Sequence, residues 1–365
     1  GLNTAAIKSL YDKGVSLIIT VDCGVTAAVE TEYANSLGVD MIITDHHECR
    51  DALPAALAVI NPKRPDCPYP NSSLAGVGVV FKLVCAIEEN SPAVLERYGD
   101  LVAVGTIADV MPLTGENRYI TKKGLEKLNG NPRPGIAALL REAGLAEKRL
   151  IASNVGYSLA PRLNAAGRLG QVEVATRLLL TEDEKEAEEL ARELCELNRS
   201  RQTMEMDIWK EAEAMLGDKP PTAPIVLASE NWHQGVVGIA ASRLTEAFSV
   251  PAVMICFDGD MGKGSCRSYG TFNFFEALSA CSEHLESFGG HALAAGLNIR
   301  RDKLEDFRSA LEEYYLNHPP EYVPQLKLDL QVEAPELLSM SCVESLELLE
   351  PCGHGNPRPQ LCLSG

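Results

Sequence analysis

Two short apolar runs, each closed by an aspartate and separated by one helix-length segment, constrain this chain more than any other feature. Val15-Ser-Leu-Ile-Ile-Thr-Val21 leads into Asp22-Cys23-Gly24, and Val39-Asp-Met-Ile-Ile-Thr44 leads into Asp45-His46-His47. Runs of this length closed by a turn signal read as buried parallel strands. Residues 26–37 between them have helical character and Gly38 stops the helix, so the stretch is a β-α-β unit. Open parallel sheets hold ligands at the carboxyl ends of their strands, so both acidic tips should line one crevice, whether or not the strands are neighbours. Carboxylates and imidazoles gathered there describe a divalent metal or phosphate site. Asp22 could instead cap the following helix, and an isolated His at a strand end is commonly only a hydrogen-bonded structural residue. Two adjacent His after an Asp, in a chain with 7 His in all, weigh toward a ligand site.

At 365 residues the chain has room for two or three domains, each with its own core. It contains no run of about 18 uncharged apolar residues, so nothing in it reads as a membrane span. Residues 1–20 lack the basic start, long apolar stretch and small-residue cleavage site of a signal peptide. An opening at Gly1 rather than Met reads as a piece of a longer protein. The 11 Cys are scattered with no C-x-x-C, a usage that fits a reducing cytoplasm. A net charge of −18 argues against a broad electrostatic grip on a nucleic-acid backbone, while leaving room for a narrow basic channel. Much of the acid lies in residues 182–196 and 333–350, which read as solvated faces.

The first 180 residues read as α/β throughout. Ala58-Val-Ile60 precedes a turn-rich stretch, residues 61–70, and Ala75-Gly-Val-Gly-Val-Val80 opens an apolar helix running to about Glu89. Leu101 to Met111 is strongly apolar around Asp109, and its periodicity fits a helix or a strand. From 181 to 216 apolar residues recur at one-face helical spacings, with Thr181 and Glu184 forming a capping box. At 1.5 Å per residue this helix is about 50 Å long, which suits a strut between two domains. A second α/β-like domain follows Pro220-Pro221: an Ile225–Ala228 strand, a His233–Leu244 helix, an Ala252–Cys256 strand and a further helix over 305–316. Pro319-Pro320 marks a linker, and the alternation at Leu328, Leu330 and Val332 suggests the start of a β-rich third domain.

Four weaker constellations lie in the second half of the chain. In residues 158–168, Arg162 and Arg168 flank Asn164 and a run of small residues read as a turn, and Arg forks suit phosphate. Gly262-Lys-Gly-Ser-Cys-Arg-Ser268 gathers amides, hydroxyls and cations into a plausible phosphate nest. His291 follows Gly289-Gly290 and precedes a small-residue segment read as helical. Trp232-His233-Gln-Gly resembles a strand-to-helix turn whose helix N-terminus would face an anion. Alone, each is compatible with an ordinary loop or turn; together they suggest one ligand.

In this order these residues resemble the DHH phosphoesterase superfamily, and within it the branch of single-stranded-DNA exonucleases. Ile43-Thr-Asp-His-His-Glu48 matches the superfamily's name-giving motif, Val21-Asp-Cys-Gly24 the acidic motif before it, and Gly105-Thr-Ile-Ala-Asp-Val-Met-Pro112 the one after. Arg162–Arg168, Trp232–Arg243, Gly264–Ser268 and Gly289–Gly296 match the exonuclease branch's second half, and Pro351-Cys-Gly-His-Gly-Asn-Pro357 its OB-fold segment. The resemblance implies an α/β fold: a parallel-sheet DHH domain (1–180) and a long connecting helix (181–217), then a smaller α/β DHH-associated domain (218–318) and the start of a β-rich OB-like domain (319–365). It implies a 5′-to-3′ exonuclease that releases mononucleotides with two divalent cations, Mn²⁺ or Mg²⁺. Asp22, His46 and Asp109 would be metal ligands, and His47 and Asp45 would be catalytic, with Asp45 orienting a His. Arg162, Asn164, Arg168, Ser265, Arg267, Ser268 and His291 would hold the DNA. Repair and recombination in the cytoplasm, with single-strand-binding protein and a helicase as partners, follow from the same likeness. The family also carries metal-binding aspartates on a strand that would precede residue 1, so weak metal binding and little activity are expected of residues 1–365. The alternatives are a superfamily hydrolase of short oligonucleotides or cyclic dinucleotides, and an inactive DNA-binding scaffold.

Overall fold

The computed structural model describes residues 2–50, 52–217, 220–321 and 325–363; the expected domain limits at 1, 218 and 365 lie outside them. The chain forms two compact units, one of residues 1–163, 176–192 and 327–365, the other of residues 164–175 and 193–326.

In the first unit, α1 (Thr4–Asp12), β1 (Leu17–Val21), α2 (Ala28–Ser36), β2 (Asp40–Thr44) and β3 (Ala58–Ile60) follow in order, and the strands pair as β1-β2-β3, all parallel. The two acid-tipped strands are therefore neighbours, with Val21 opposite Thr44, so Asp22 and Asp45 leave the sheet side by side. Ile7, Ala34, Val39 and Met41 form the apolar cluster beneath them. Burial is less complete than the apolar run of β1 suggests. Leu17, Ile19 and Val21 are 44%, 50% and 52% exposed, because β1 is the edge strand of the described sheet and only Ile18 and Thr20 turn inward.

A helical layer completes this unit: α3 (Gly76–Glu88), α4 (Ser91–Ala108), α5 (Gly115–Gly130) and α6 (Pro134–Glu142). The undecided Leu101–Met111 stretch is thus helix, stopped at Asp109. Helix α4 meets α5 so closely that a Cβ on Gly124 would lie 2.2 Å from the Gly99 carbonyl oxygen. The other fixed point of α4 is electrostatic. Asp100 is fully buried, and the Arg133 guanidinium reaches both of its carboxylate oxygens, at 2.9 and 3.0 Å. Beyond the single turn α7 (Ala152–Asn154), residues Val155–Leu159 form a π-helical turn that runs into α8 (Ala160–Arg168). The small residues between Arg162 and Arg168 are therefore helical rather than a turn; alanines there favour helix, and Gly167 lies next to the end. Helix α9 (Val172–Leu180) follows.

Helix α10 runs unbroken from Glu184 to Leu216, 33 residues or about 50 Å. Its N-cap differs from the expected box. The Asp183 carboxylate, not Thr181, accepts the Lys185 and Glu186 amides, at 2.8 and 2.9 Å, while Thr181 pairs with Glu186. A carboxylate one residue before the first turn outcompetes a hydroxyl two residues further back.

The second unit contains β4 (Ile225–Ser229), α11 (Gln234–Phe248), β5 (Ala252–Asp258), β6 (Met261–Arg267), α12 (Phe274–Ala280), β7 (Ser287–Gly290), β8 (Ala294–Arg300) and α13 (Leu304–Asn317). Its sheet order is β4-β5-β6-β8-β7, with β4 and β5 parallel and the other pairs antiparallel. Alternate residues of β5 feed two cores: Ala252 and Met254 pack with α11 and α10, and Val253, Ile255 and Phe257 pack with α12 and α13. Two expectations are corrected here. Residues 262–267 are not a nest but strand β6, whose backbone is committed to β5 and β8. Its glycines are there because a Cβ on Gly264 would meet Leu297 at 2.8 Å. His291 precedes no helix. It sits in the turn between β7 and β8, its amide bonded to the Ala294 carbonyl at 2.8 Å, because the pairing of Phe288 with Leu297 overrides the helical character of the small residues.

Residues 327–363 group with the first unit and include α14 (Met340–Ser345) and a parallel pair of three-residue strands, β9 (Leu330–Val332) and β10 (Leu361–Leu363). No described helix is long and apolar enough to cross a membrane.

Candidate metal centre

Three backbone elements deliver side chains to one point above the parallel sheet. Asp22 leaves β1 in a left-handed conformation, φ 61°, with its amide still bonded to the Thr44 carbonyl. It does not cap α2, whose N-cap is Ala27. Asp45 and the two His leave β2, and Asp109 terminates α4, followed by Val110 at φ 55°. His46 is the buried centre: its Nε2 lies 3.0 Å from Asp22 Oδ1 and 3.5 Å from Asp109 Oδ2, and both carboxylates are about half exposed. Atoms of Asp22, His46 and His47 suited to hold a metal all lie within 4.8 Å of one another.

The protonation states follow from this geometry. The hydrogen bond to Asp22 raises the His46 pKa, helped by the charge of Asp109 and opposed by burial. Burial raises the Asp109 pKa, with like-charge repulsion from Asp22 adding to it and His46 opposing. Nδ1 of His46 is buried without a hydrogen-bond partner among the described residues, so the ring is engaged only through the nitrogen that faces the carboxylates. The mixed N/O donor set of one imidazole and two carboxylates fits a divalent cation.

Asp45 has a different task. It is 1% exposed, and its oxygens accept the amides of Val25 (2.9 Å), His46 (2.8 Å) and His47 (3.2 Å) and pair with His47 Nδ1 at 2.7 Å. Burial opposes its ionisation, but those hydrogen bonds outweigh burial and hold its pKa low. Three of these bonds fall on Oδ1 and one on Oδ2, and with the side chain buried they tie Asp45 to His47 and the 45–47 backbone. Asn61 completes the support by donating to the His47 carbonyl at 2.9 Å.

Of the expected DNA-holding residues, Arg162 belongs to the first unit, where its guanidinium is bonded to the Ser158 carbonyl; the other six belong to the second. Arg267 is held by the Ser242 and Ser265 hydroxyls at 3.2 and 3.1 Å, and Arg168 by the Gly235 carbonyl at 3.0 Å. Burial first, then the charges of Arg201 and Arg267, lower the Arg168 pKa, and burial lowers that of Arg267. These arginines cluster against the start of α11, where a Cβ on Gly238 would lie 2.9 Å from the Ser265 hydroxyl. Ser268 instead bonds the Phe272 carbonyl, Asn164 is exposed on α8, and His291 is exposed in its hairpin turn.

Two contributors carried no readable signal. Gly76, the first residue of α3, lies directly against the Asp22 side chain; Arg201 reaches the arginine cluster from the middle of α10. Glycine at a helix start and arginine within a charged helix are both unremarkable in a linear sequence.

A parallel sheet with Asp and His at its strand tips, followed by a second unit with a mixed sheet, is the layout of the DHH proteins. The DHH family N-terminal domain matches residues 3–106 and the DHHA1 domain residues 222–317. The single-stranded-DNA-specific exonuclease RecJ of Bacillus subtilis (strain 168) is 43% identical over 366 residues, 99% of this chain and 46% of its own length. A crystal structure of RecJ with Mn²⁺ from Thermus thermophilus superposes with a TM-score of 0.88 at 36% identity, covering 100% of this chain and 54% of that one. Another, exonuclease RecJ bound to manganese, gives 0.73 at 36% identity, covering 87% of this chain and 80% of that one. The chain belongs to the RecJ family, and it spans about half the length of the Bacillus relative.

Proposed function

We propose that the protein is a single-stranded-DNA-specific 5′-to-3′ exonuclease that hydrolyses phosphodiester bonds and releases mononucleotides, using Mn²⁺ or Mg²⁺ held by Asp22, His46 and Asp109. The observation that carries this reading is the convergence of His46 Nε2 on both carboxylates, at 3.0 and 3.5 Å. The relatives named for this activity, and the RecJ crystal structures with Mn²⁺ and with Mg²⁺, support it. An imidazole among carboxylates suits Mn²⁺ better than Mg²⁺, which prefers oxygen donors. When bound, the cations would activate water and stabilise the charge that builds on the scissile phosphate.

The residues of this chain have separable tasks. Asp45 fixes the His47 ring through Nδ1, leaving Nε2 for the phosphate. Arg168, Arg267 and Ser265 supply a guanidinium-rich seat for backbone phosphates, with Arg162, Asn164, Ser268 and His291 completing the DNA contacts. With a net charge of −18, such a grip is local rather than global. On this reading the enzyme acts in the cytoplasm in repair and recombination, beside single-strand-binding protein and a helicase.

The test is Mn²⁺-dependent release of mononucleotides from a 5′-phosphorylated single strand by the full-length protein, with a duplex as control. Asp109→Ala should abolish release, and retained release would sink the ligand assignment. Cleavage confined to dinucleotides would indicate a short-oligonucleotide hydrolase, and binding without cleavage a scaffold.

A further inference from the structure

We infer that the turn Pro351–Pro357 braces the loop that follows Asp109 and thereby positions the Asp109 carboxylate. The inference rests on the proposed metal site. The Leu113 amide donates to the His354 carbonyl at 2.7 Å, and Leu113 is 2% exposed, so without that turn a buried amide loses its partner. Two glycines bring the turn this close. A Cβ on Gly353 would lie 2.8 Å from Leu113 Cδ1; Gly355, at φ 71°, leaves only 3.1 Å to Pro112 Cβ. Asn356 holds the turn closed by donating to the carbonyls of Leu349 and Pro351, at 3.0 and 2.9 Å. Arg118 reaches the Leu348, Leu349 and Glu350 carbonyls, at 3.2, 3.1 and 3.4 Å.

The braced loop is tied to both metal-facing carboxylates. Asp109 lies three residues before Pro112, and the Met111 amide bonds back to the Thr106 carbonyl in the last turn of α4. Asn117 donates to the carbonyls of Pro112 (3.1 Å) and Ser73 (2.6 Å), and Ser73 begins the approach to Gly76, which walls Asp22. Apolar burial does not explain the docking, since Leu348 and Leu349 are 76% and 40% exposed. The hydrogen bonds and close contacts of the turn fall instead on residues 112–118.

The experiment uses the full-length protein, since little activity is expected of residues 1–365, and compares Gly355→Val, Asn356→Ala and the milder Gly355→Ala with the unaltered sequence. The Mn²⁺ concentration giving half-maximal cleavage should rise about tenfold in the first two, the size expected when support of a metal ligand is lost. KM for the DNA strand should stay unchanged, and the Mn²⁺-induced rise in melting temperature should shrink in parallel. Gly355→Ala should fall between these and the unaltered protein. An unchanged Mn²⁺ midpoint together with an unchanged Mn²⁺-induced melting shift overturns the brace, whatever happens to the melting temperature in chelator. If the unaltered protein shows neither Mn²⁺-dependent cleavage nor a Mn²⁺-induced shift, the metal reading fails first, a separately recognisable result that takes the brace with it.

Discussion

Replacing Gly76 by Ala tests how tightly the metal-facing carboxylate is walled. The new methyl carbon would lie 2.3 Å from Asp22 Oδ1, 2.6 Å from Cγ and 2.7 Å from Cβ. Ordinary contacts begin near 3.4 Å, so Asp22 or the start of α3 must move by about 1 Å. Because Gly76 opens a helix packed on α4, the exposed carboxylate is the softer partner and should give way. Asp22 Oδ1 sits 3.0 Å from His46 Nε2, and an ångström of retreat breaks that contact. A misplacement of this size reduces rate about 100-fold, equivalent to about 2.7 kcal/mol of transition-state stabilisation. The assay is steady-state release of mononucleotides by the full-length protein under saturating Mn²⁺, with circular dichroism to confirm the fold. The expected result is a fall in kcat with KM for the strand nearly unchanged. A variant within twofold of the unaltered kcat and of its Mn²⁺ midpoint would refute the reasoning, because it would mean that the Asp22 position is not set by α3.

Three further outcomes follow from other parts of the structure. Arg133→Ala leaves the fully buried Asp100 carboxylate with only the Leu101 amide and the more distant Lys127 ammonium, at 3.8 Å, and urea unfolding should show a loss of about 3 kcal/mol, with Lys a poor substitute for the two-pronged contact. Burial pushes the Cys266 thiol up to about 12 and the Cys281 thiol up to about 11, so both stay protonated at pH 8. Native-state alkylation followed by mass mapping should label exposed Cys342 and spare them. Arg168→Ala and Arg267→Ala should each weaken single-strand binding and reduce the slope of log affinity against log salt by about 0.7, the value for one lost phosphate contact on a single strand. An unchanged slope would place those guanidinium groups away from phosphate.

Much of the fold could be read from the sequence where one local rule dominated. The β-α-β opening, the long helix over 184–216 and the strand-helix-strand start of the second unit each rest on a long periodic or apolar signal. Turn chemistry was the weaker guide. Glycine-rich 262–267 looks like a loop to any local rule, yet its glycines serve close strand packing, a reason visible only once Leu297 and Ile255 are in place. The small residues after His291 were misread for the same cause, because strand pairing with Phe288 decided them. At the site, Asp22, His46 and Asp109 were legible as candidate ligand types, and both carboxylates lie within 3.5 Å of His46 Nε2. Asp45 was legible as a residue that orients a His, while its bonds to the Val25, His46 and His47 amides are visible only in three dimensions.

The backbone at Val110 has a consequence for selection. A β-branched residue at φ 55° is held in the left-handed region at a penalty of about 1–2 kcal/mol, and its side chain is 66% exposed, so packing does not compensate there. Glycine would remove that penalty, less about 0.4–1 kcal/mol for the added freedom of the unfolded chain, leaving a small net gain in stability. Any search that rewards thermal endurance alone is therefore drawn toward position 110. The same change loosens the residue next to Asp109, so lineages or libraries kept under nuclease selection should retain a stiff side chain at 110, and those selected only for heat resistance should lose it.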